Sequence, residues 1–181
     1  MSWKLNKTVV MVGMMGAGKT AVGKALAQLL GVDFRDSDAE IELAANMSIG
    51  EIFTRDGESF FRARESQVIA RMLDEAPCVL STGGGAFMSA ANRALITERG
   101  VSLWLNADLD LLWSRVKHRD SRPLLKTPNP RATLRGLYEA RVPIYAEADL
   151  EVRSEPGYSV ADMAQHVVRA LMQRPDVLEA T

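Results

Sequence analysis

Three groups of residues in this chain have the types and spacing that do chemistry. The first is Gly13-Met14-Met15-Gly16-Ala17-Gly18-Lys19-Thr20, which follows the apolar run Thr8-Val9-Val10-Met11-Val12 and fits the phosphate loop G-x-x-x-x-G-K-[ST]. Glycines here free the backbone to aim successive N–H groups at an anion, and a helix beginning at about Gly18 would set its positive end beneath that anion. Lys19 adds a mobile point charge, and Thr20 offers a hydroxyl to magnesium. The second group is Asp36 and Asp38, able between them to hold a magnesium-bound water and to accept a proton from a hydroxyl nucleophile, the two tasks phosphoryl transfer gives to carboxylates. The third is Gly83-Gly84-Gly85, directly after an apolar stretch. Three glycines in a row are costly in backbone entropy unless something must approach the main chain closely, and a second ligand surface is the expected reason.

Arginines supply the opposite charge. Residues 119–130 are rich in prolines and cations and should not be regular; beside a phosphate site they suit a lid that excludes water and brings an arginine to the transferring phosphate, with Arg115, Arg119 and Arg122 as candidates. Each feature also has a plainer reading. The glycine loop could merely join a strand to a helix, Asp38 could be a helix N-cap, Arg62 could pair with Glu65 on a solvated helix face, and the lid could be a surface connection. The N-terminal stretch resembles a signal peptide, but Lys19 and Lys24 interrupt its apolar core.

The elements that must position these groups follow from apolar periodicity. Strands are expected over residues 8–12, 32–35, 76–81, 101–105 and 149–152, alternating with helices. The first helix carries Val22, Leu26, Leu29 and Leu30 and is capped by Gly31. Ser48 with Glu51 reads as a capping box, and Gly57 separates that short helix from a longer one. The longer helix has an apolar stripe of Phe60, Phe61, Val68, Ile69 and Met72, with Glu58, Arg62, Arg64, Glu65 and Arg71 on its remaining faces. Further helices are expected over 89–99, 108–118, 132–146 and 160–173, and the tail after Arg174 is expected to fray.

At 181 residues, one α/β domain is the expectation. A net charge of −1 leaves no overall footprint for nucleic acid, and no apolar run reaches the roughly 20 residues of a membrane helix. Cys78 is the only cysteine; this fits a reducing cytoplasm, and its apolar neighbours mark it as a buried strand residue. His118 and His166 stand apart from any other ligand at zinc spacing. Nothing marks a large apolar patch, so a monomer is expected.

Six motifs in order over residues 9–148 resemble the shikimate kinases. They are Gly13 to Thr20; Phe34-x-Asp36-x-Asp38; Ser48-Ile49 through Glu51-Ile52-Phe53 into Gly57-Glu58-x-x-Phe61-Arg62-x-x-Glu65; Gly83-Gly84-Gly85; Arg122-Pro123-Leu124-Leu125; and Arg141-x-Pro143-x-Tyr145-x-Glu147-Ala148. The resemblance implies an α/β P-loop fold of the nucleoside-monophosphate-kinase kind, with a five-stranded parallel sheet in order 2-3-1-4-5 flanked by helices. It also implies a lid at about 117–130 and acceptor-binding helices at about 38–72. The implied reaction moves the γ-phosphoryl of ATP to the 3-hydroxyl of shikimate, towards chorismate and the aromatic amino acids. Carried over, Gly13 and Gly16 to Ala21 (Ala17, Gly18, Lys19 and Thr20 between them) would line the ATP phosphates, with Arg115 against adenine. Thr20, and Asp36 through water, would hold Mg2+. Asp38, Arg62, Gly83, Gly84, Gly85 and Arg141 would bind shikimate. Lys19, Asp38 and Arg122 would be catalytic. Residues 153–156 are where cover for adenine is expected. A gluconate-type sugar-acid kinase and a catalytically silent module on the same fold are the alternatives.

Overall fold

The computed structural model describes residues 2–117 and 125–181. Its centre is strand β2 (Thr8–Val12), every residue of which is buried. An unbroken apolar run with no alternation suits a strand covered on both faces of a parallel sheet. The sheet contains β3 (Phe34–Asp36), β4 (Val79–Ser81), β2, β5 (Gly100–Asn106) and β6 (Leu150–Arg153), in that order and all parallel. This is the expected order 2-3-1-4-5, counted along the sheet's own strands. It puts the carboxyl ends of β2, β3 and β4 side by side, where ligands of open α/β sheets bind. Cys78, just before β4, is buried as expected.

Helix α1 (Lys19–Leu30) runs back from the end of β2, burying Val22, Leu26 and Leu30, and ends at Gly31 in the left-handed conformation. It packs against α8 (Val160–Leu171), which Ser159 and Asp162 open with a reciprocal capping box. The connection from β3 to β4 holds α2 (Ser37–Ala45), α3 (Ile49–Asp56) and α4 (Glu58–Leu73). Ile41, Ile52 and Phe61 from these three helices form a small core of their own. A single 3-10 turn, Ala86–Met88, then leads into α5 (Ala90–Arg99). α6 (Leu109–Val116) and α7 (Pro130–Tyr145) follow β5.

Two expectations are corrected. The Ser48 hydroxyl accepts from the Glu51 N–H, but among the described residues the Glu51 carboxylate returns no bond to the Ser48 N–H, so the capping box is half formed; the next N–H, of Ile49, donates to the Glu42 carboxylate. The tail does not fray. β1 (Trp3–Leu5) pairs antiparallel with β7 (Leu178–Ala180), with Val177 and Leu178 buried beneath. A three-residue strand gives no periodic signal, and its partner lies at the opposite end of the sequence.

Candidate active site

The turn from β2 into α1 is built as a cradle. Gly16 and Gly18 have φ of +83° and +95°, values L side chains rarely adopt, and Gly18 is the N-cap of α1. Gly16 also backs onto α6, where a Cβ would lie 2.8 Å from Val116 Cγ1. Lys19 opens α1, and its ammonium donates to the carbonyls of Gly13 and Met14. Arg115 reaches over from α6 to donate to the Gly16 carbonyl at 2.9 Å, and partial burial lowers its pKa. Thr20 and Ala21, next along the first turn of α1, line the cavity above this loop.

At the end of β3, Asp36 takes the N-cap position of α2, its Oδ1 accepting from the N–H groups of Asp38 (2.8 Å) and Ala39 (3.3 Å). Capping therefore falls to Asp36, not to Asp38 as the plainer reading had it. Asp38 is left with its carboxylate in the cavity and Oδ1 unpartnered among the described residues. Burial, reinforced by the Asp36 charge and opposed by Lys19, pushes its pKa up to about 6.

The three glycines after β4 join the rest of the site. A Cβ on Gly83 would lie 2.9 Å from Asp38 Oδ2, on Gly84 2.8 Å from an Arg141 Nη, and on Gly85 2.7 Å from Arg62 Cζ. Each glycine is the floor under one charged side chain, and the three side chains come from α2, α7 and α4. The close approach inferred from sequence is real, but these side chains make it. Arg62 bonds Glu65 Oε1 at 2.9 Å, so the predicted ion pair forms, but not on a solvated face. Glu65 is 1% exposed and Phe60 is 39% exposed, the reverse of the expected stripe. Arg62, Glu65, Asp38, Arg141 and Thr20 line one cavity of about 990 Å3 with Gly16 to Ala21 and Gly83 to Gly85.

This geometry agrees with comparison to known proteins. A sequence profile of the family described as "Shikimate kinase" matches residues 15–172. The shikimate kinase of Ruegeria pomeroyi is 70% identical, the match covering 97% of this chain and 90% of that protein. The enzyme of Cereibacter sphaeroides is 67% identical over 97% and 88% of the respective chains. The structure of shikimate kinase from Acinetobacter baumannii in complex with shikimate, 39% identical, superposes with a TM-score of 0.87 over 92% of this chain and 93% of that one. The chain belongs to the shikimate kinase family. It is an ATP-dependent kinase that transfers phosphate to shikimate.

Within this shikimate kinase, several lining residues went unassigned in the sequence. Ile49, Phe53 and Phe61 give the acceptor end an apolar wall. From the stretch 153–156, Ser154 faces the cavity; Tyr158, Ser159, Val160 and Met163 complete that side. Tyr145 is fully buried, and its hydroxyl donates to the Gly84 carbonyl. Its spacing of four residues from Arg141 on α7 was the signal available in the sequence, since such pairs share a helix face. Arg119 and Arg122 lie outside the described residues. Among the described residues no group of three or more His, Cys, Asp or Glu is placed to hold a metal, and no helix is long and apolar enough to cross a membrane.

Proposed function

We propose that Asp38, Arg62 and Arg141 hold shikimate in the cavity with its carboxylate between the two guanidinium groups and its 3-hydroxyl against Asp38. Shikimate carries one carboxylate and three ring hydroxyls. Planar guanidinium forks match a carboxylate in two-point fashion, which a lysine does less well. The observation that carries this reading is the convergence of Asp38, Arg141 and Arg62 on Gly83, Gly84 and Gly85. The hydroxyl oxygen bonds to the γ-phosphorus, the bond to the bridging oxygen breaks to release ADP, and the hydroxyl proton passes to the Asp38 carboxylate. A carboxylate with a pKa near 6 is ionised at neutral pH yet basic enough to take that proton.

Lys19 and Arg122 place positive charge about the γ-phosphoryl oxygens, where the transition state gathers negative charge, and Arg115 lies against adenine. The donors around the phosphate loop suit magnesium, which keeps several waters and takes one or two carboxylates besides substrate phosphates. Thr20 would bind it directly and Asp36 through water; the N–H groups of Asp38 and Ala39 both donate to Asp36 Oδ1. When bound, the ion neutralises developing charge on the phosphates. The same reading takes the protein as a monomer formed as one kinase domain with its lid at about 117–130. Absence of nucleic-acid and membrane partners and a cytoplasmic location belong to the same proposal.

A crystal structure with ADP and shikimate tests the orientation: the carboxylate is expected between Arg62 and Arg141 and the 3-hydroxyl at Asp38. A carboxylate seated elsewhere refutes it. An assay with ATP and shikimate, quinate or gluconate in turn should give turnover on shikimate.

A further inference from the structure

Tyr145 takes no part in the chemistry above, yet it ties the core to the floor of the acceptor site. It ends α7, four residues after Arg141, and is fully buried. Its ring stacks on Trp104 of β5 at 6.1 Å and on Phe87 of the 3-10 turn at 6.5 Å. Phenylalanine would fill that place with no polar group to satisfy, so the hydroxyl needs its own explanation.

The backbone of the glycine run supplies one. The Gly83 carbonyl accepts from the Ala86 N–H and the Gly85 carbonyl from the Met88 N–H, both at 3.1 Å, within the turn that follows. Among the described residues the Gly84 carbonyl accepts instead from the Tyr145 hydroxyl. A peptide unit is planar, so fixing this C=O also fixes the Gly85 N–H, which points the opposite way. Gly84 lies under Arg141, and a Cβ there would be 3.5 Å from the Tyr145 hydroxyl and 3.7 Å from the Gly13 carbonyl of the phosphate loop. Burial pushes the Tyr145 pKa up to about 12, so the group stays protonated and remains a donor near neutral pH.

We propose that Tyr145 is a positioning residue for the acceptor substrate: its hydroxyl pins the Gly84 peptide and so sets the floor on which Arg141 and Arg62 stand. This rests on the proposed shikimate site. Tyr145→Phe keeps the stacked ring and removes only the hydroxyl, and with it both the bond to the Gly84 carbonyl and the hydroxyl's interaction with Arg141.

The variant should melt within about 3 °C of the parent, raise the shikimate KM roughly five- to tenfold and leave the ATP KM within about twofold, the span expected for one lost hydrogen bond at a buried acceptor. Calorimetric titration of shikimate on the folded variant should show the same weakening. An unchanged shikimate KM overturns the proposal. So does a rise of both KM values together with an early melt, because that is general loosening. Arg62→Ala, run alongside, separates the two levels of the argument. If it leaves the shikimate KM unchanged, the site reading itself fails. If it raises the KM while Tyr145→Phe does not, only the role of Tyr145 fails.

Discussion

Asp38 shows most plainly how one residue can be placed for reaction at the expense of folding. Its folded pKa of about 6 stands above the ordinary 3.8 because burial and Asp36 outweigh Lys19 and Arg62. Between these two values the folded state holds more protons than the unfolded state, so stability falls as pH rises from about 4 to 6 and stays lower above that. A shift of this size corresponds to roughly 3 kcal/mol. Asp38→Asn should therefore melt several degrees above the parent at pH 7.5, at about 2–4 °C per kcal/mol for a chain of this length, and lose that advantage near pH 4. It should also lose about 100-fold or more in kcat, the usual worth of a positioned base. Thermal melts at both pH values and steady-state kinetics check the two halves; near-parental turnover would remove the base role. In the parent, kcat/KM should fall as pH drops through about 6, because protonated Asp38 cannot accept the hydroxyl proton. The identity of Asp38 was legible in the sequence through its spacing from Asp36. Which of the two would cap the helix was not, since both stand at the start of α2 and only the backbone angle at Asp36 (φ −127°, ψ 120°) decides it.

Among the elements, the segment from β4 through the glycine run to the 3-10 turn does most to assemble the site. Gly85 has an ordinary φ of −91°, so alanine there brings no backbone strain. Its only cost is the Cβ, which would sit 2.7 Å from Arg62 Cζ and force the guanidinium away. Gly85→Ala should raise the shikimate KM about tenfold or more and leave the ATP KM within about twofold, as expected when binding to one substrate alone is damaged. Gly136→Ala is the control: nothing lies within 4 Å of a Cβ at this position inside α7, so it should stabilise by about 0.5–1 kcal/mol and leave both KM values unchanged. Equal effects of the two substitutions on the shikimate KM would show that the glycine run is not the floor of the site. Strand and helix order could be read from apolar runs and caps, because these are local signals. The inward turn of Glu65 could not, because a charged residue at i+3 from an arginine looks the same on a solvated face as on one buried beneath the acceptor pocket.

On the scale of the whole molecule, the sheet and its cavity are closed at a distance by a ribbon that carries no chemistry. β1 and β7 join residues 3–5 to residues 178–180, and the Asn6 N–H donates to the Val177 carbonyl at 2.8 Å. α1 packs on β1, so the ribbon braces the helix that carries Lys19 and Thr20. Such a pairing leaves no trace in local periodicity, because it joins two three-residue strands across nearly the full length of the sequence. Its worth lies in Val177 and Leu178, both buried, at about 1.5–3 kcal/mol for each apolar side chain taken from water. Deleting residues 177–181 should therefore lower the melting temperature by on the order of 10 °C. None of these residues lines the cavity. At 20 °C, where the truncated chain is still folded, kcat and both KM values should stay within about twofold of the parent, because the loss falls on global stability and not on transition-state contacts. A melt and a kinetic run on the same preparation decide the matter: an unchanged melting temperature would show that the ribbon contributes nothing to the fold, and a rise confined to the ATP KM would show that it holds the phosphate loop in place as well as closing the core.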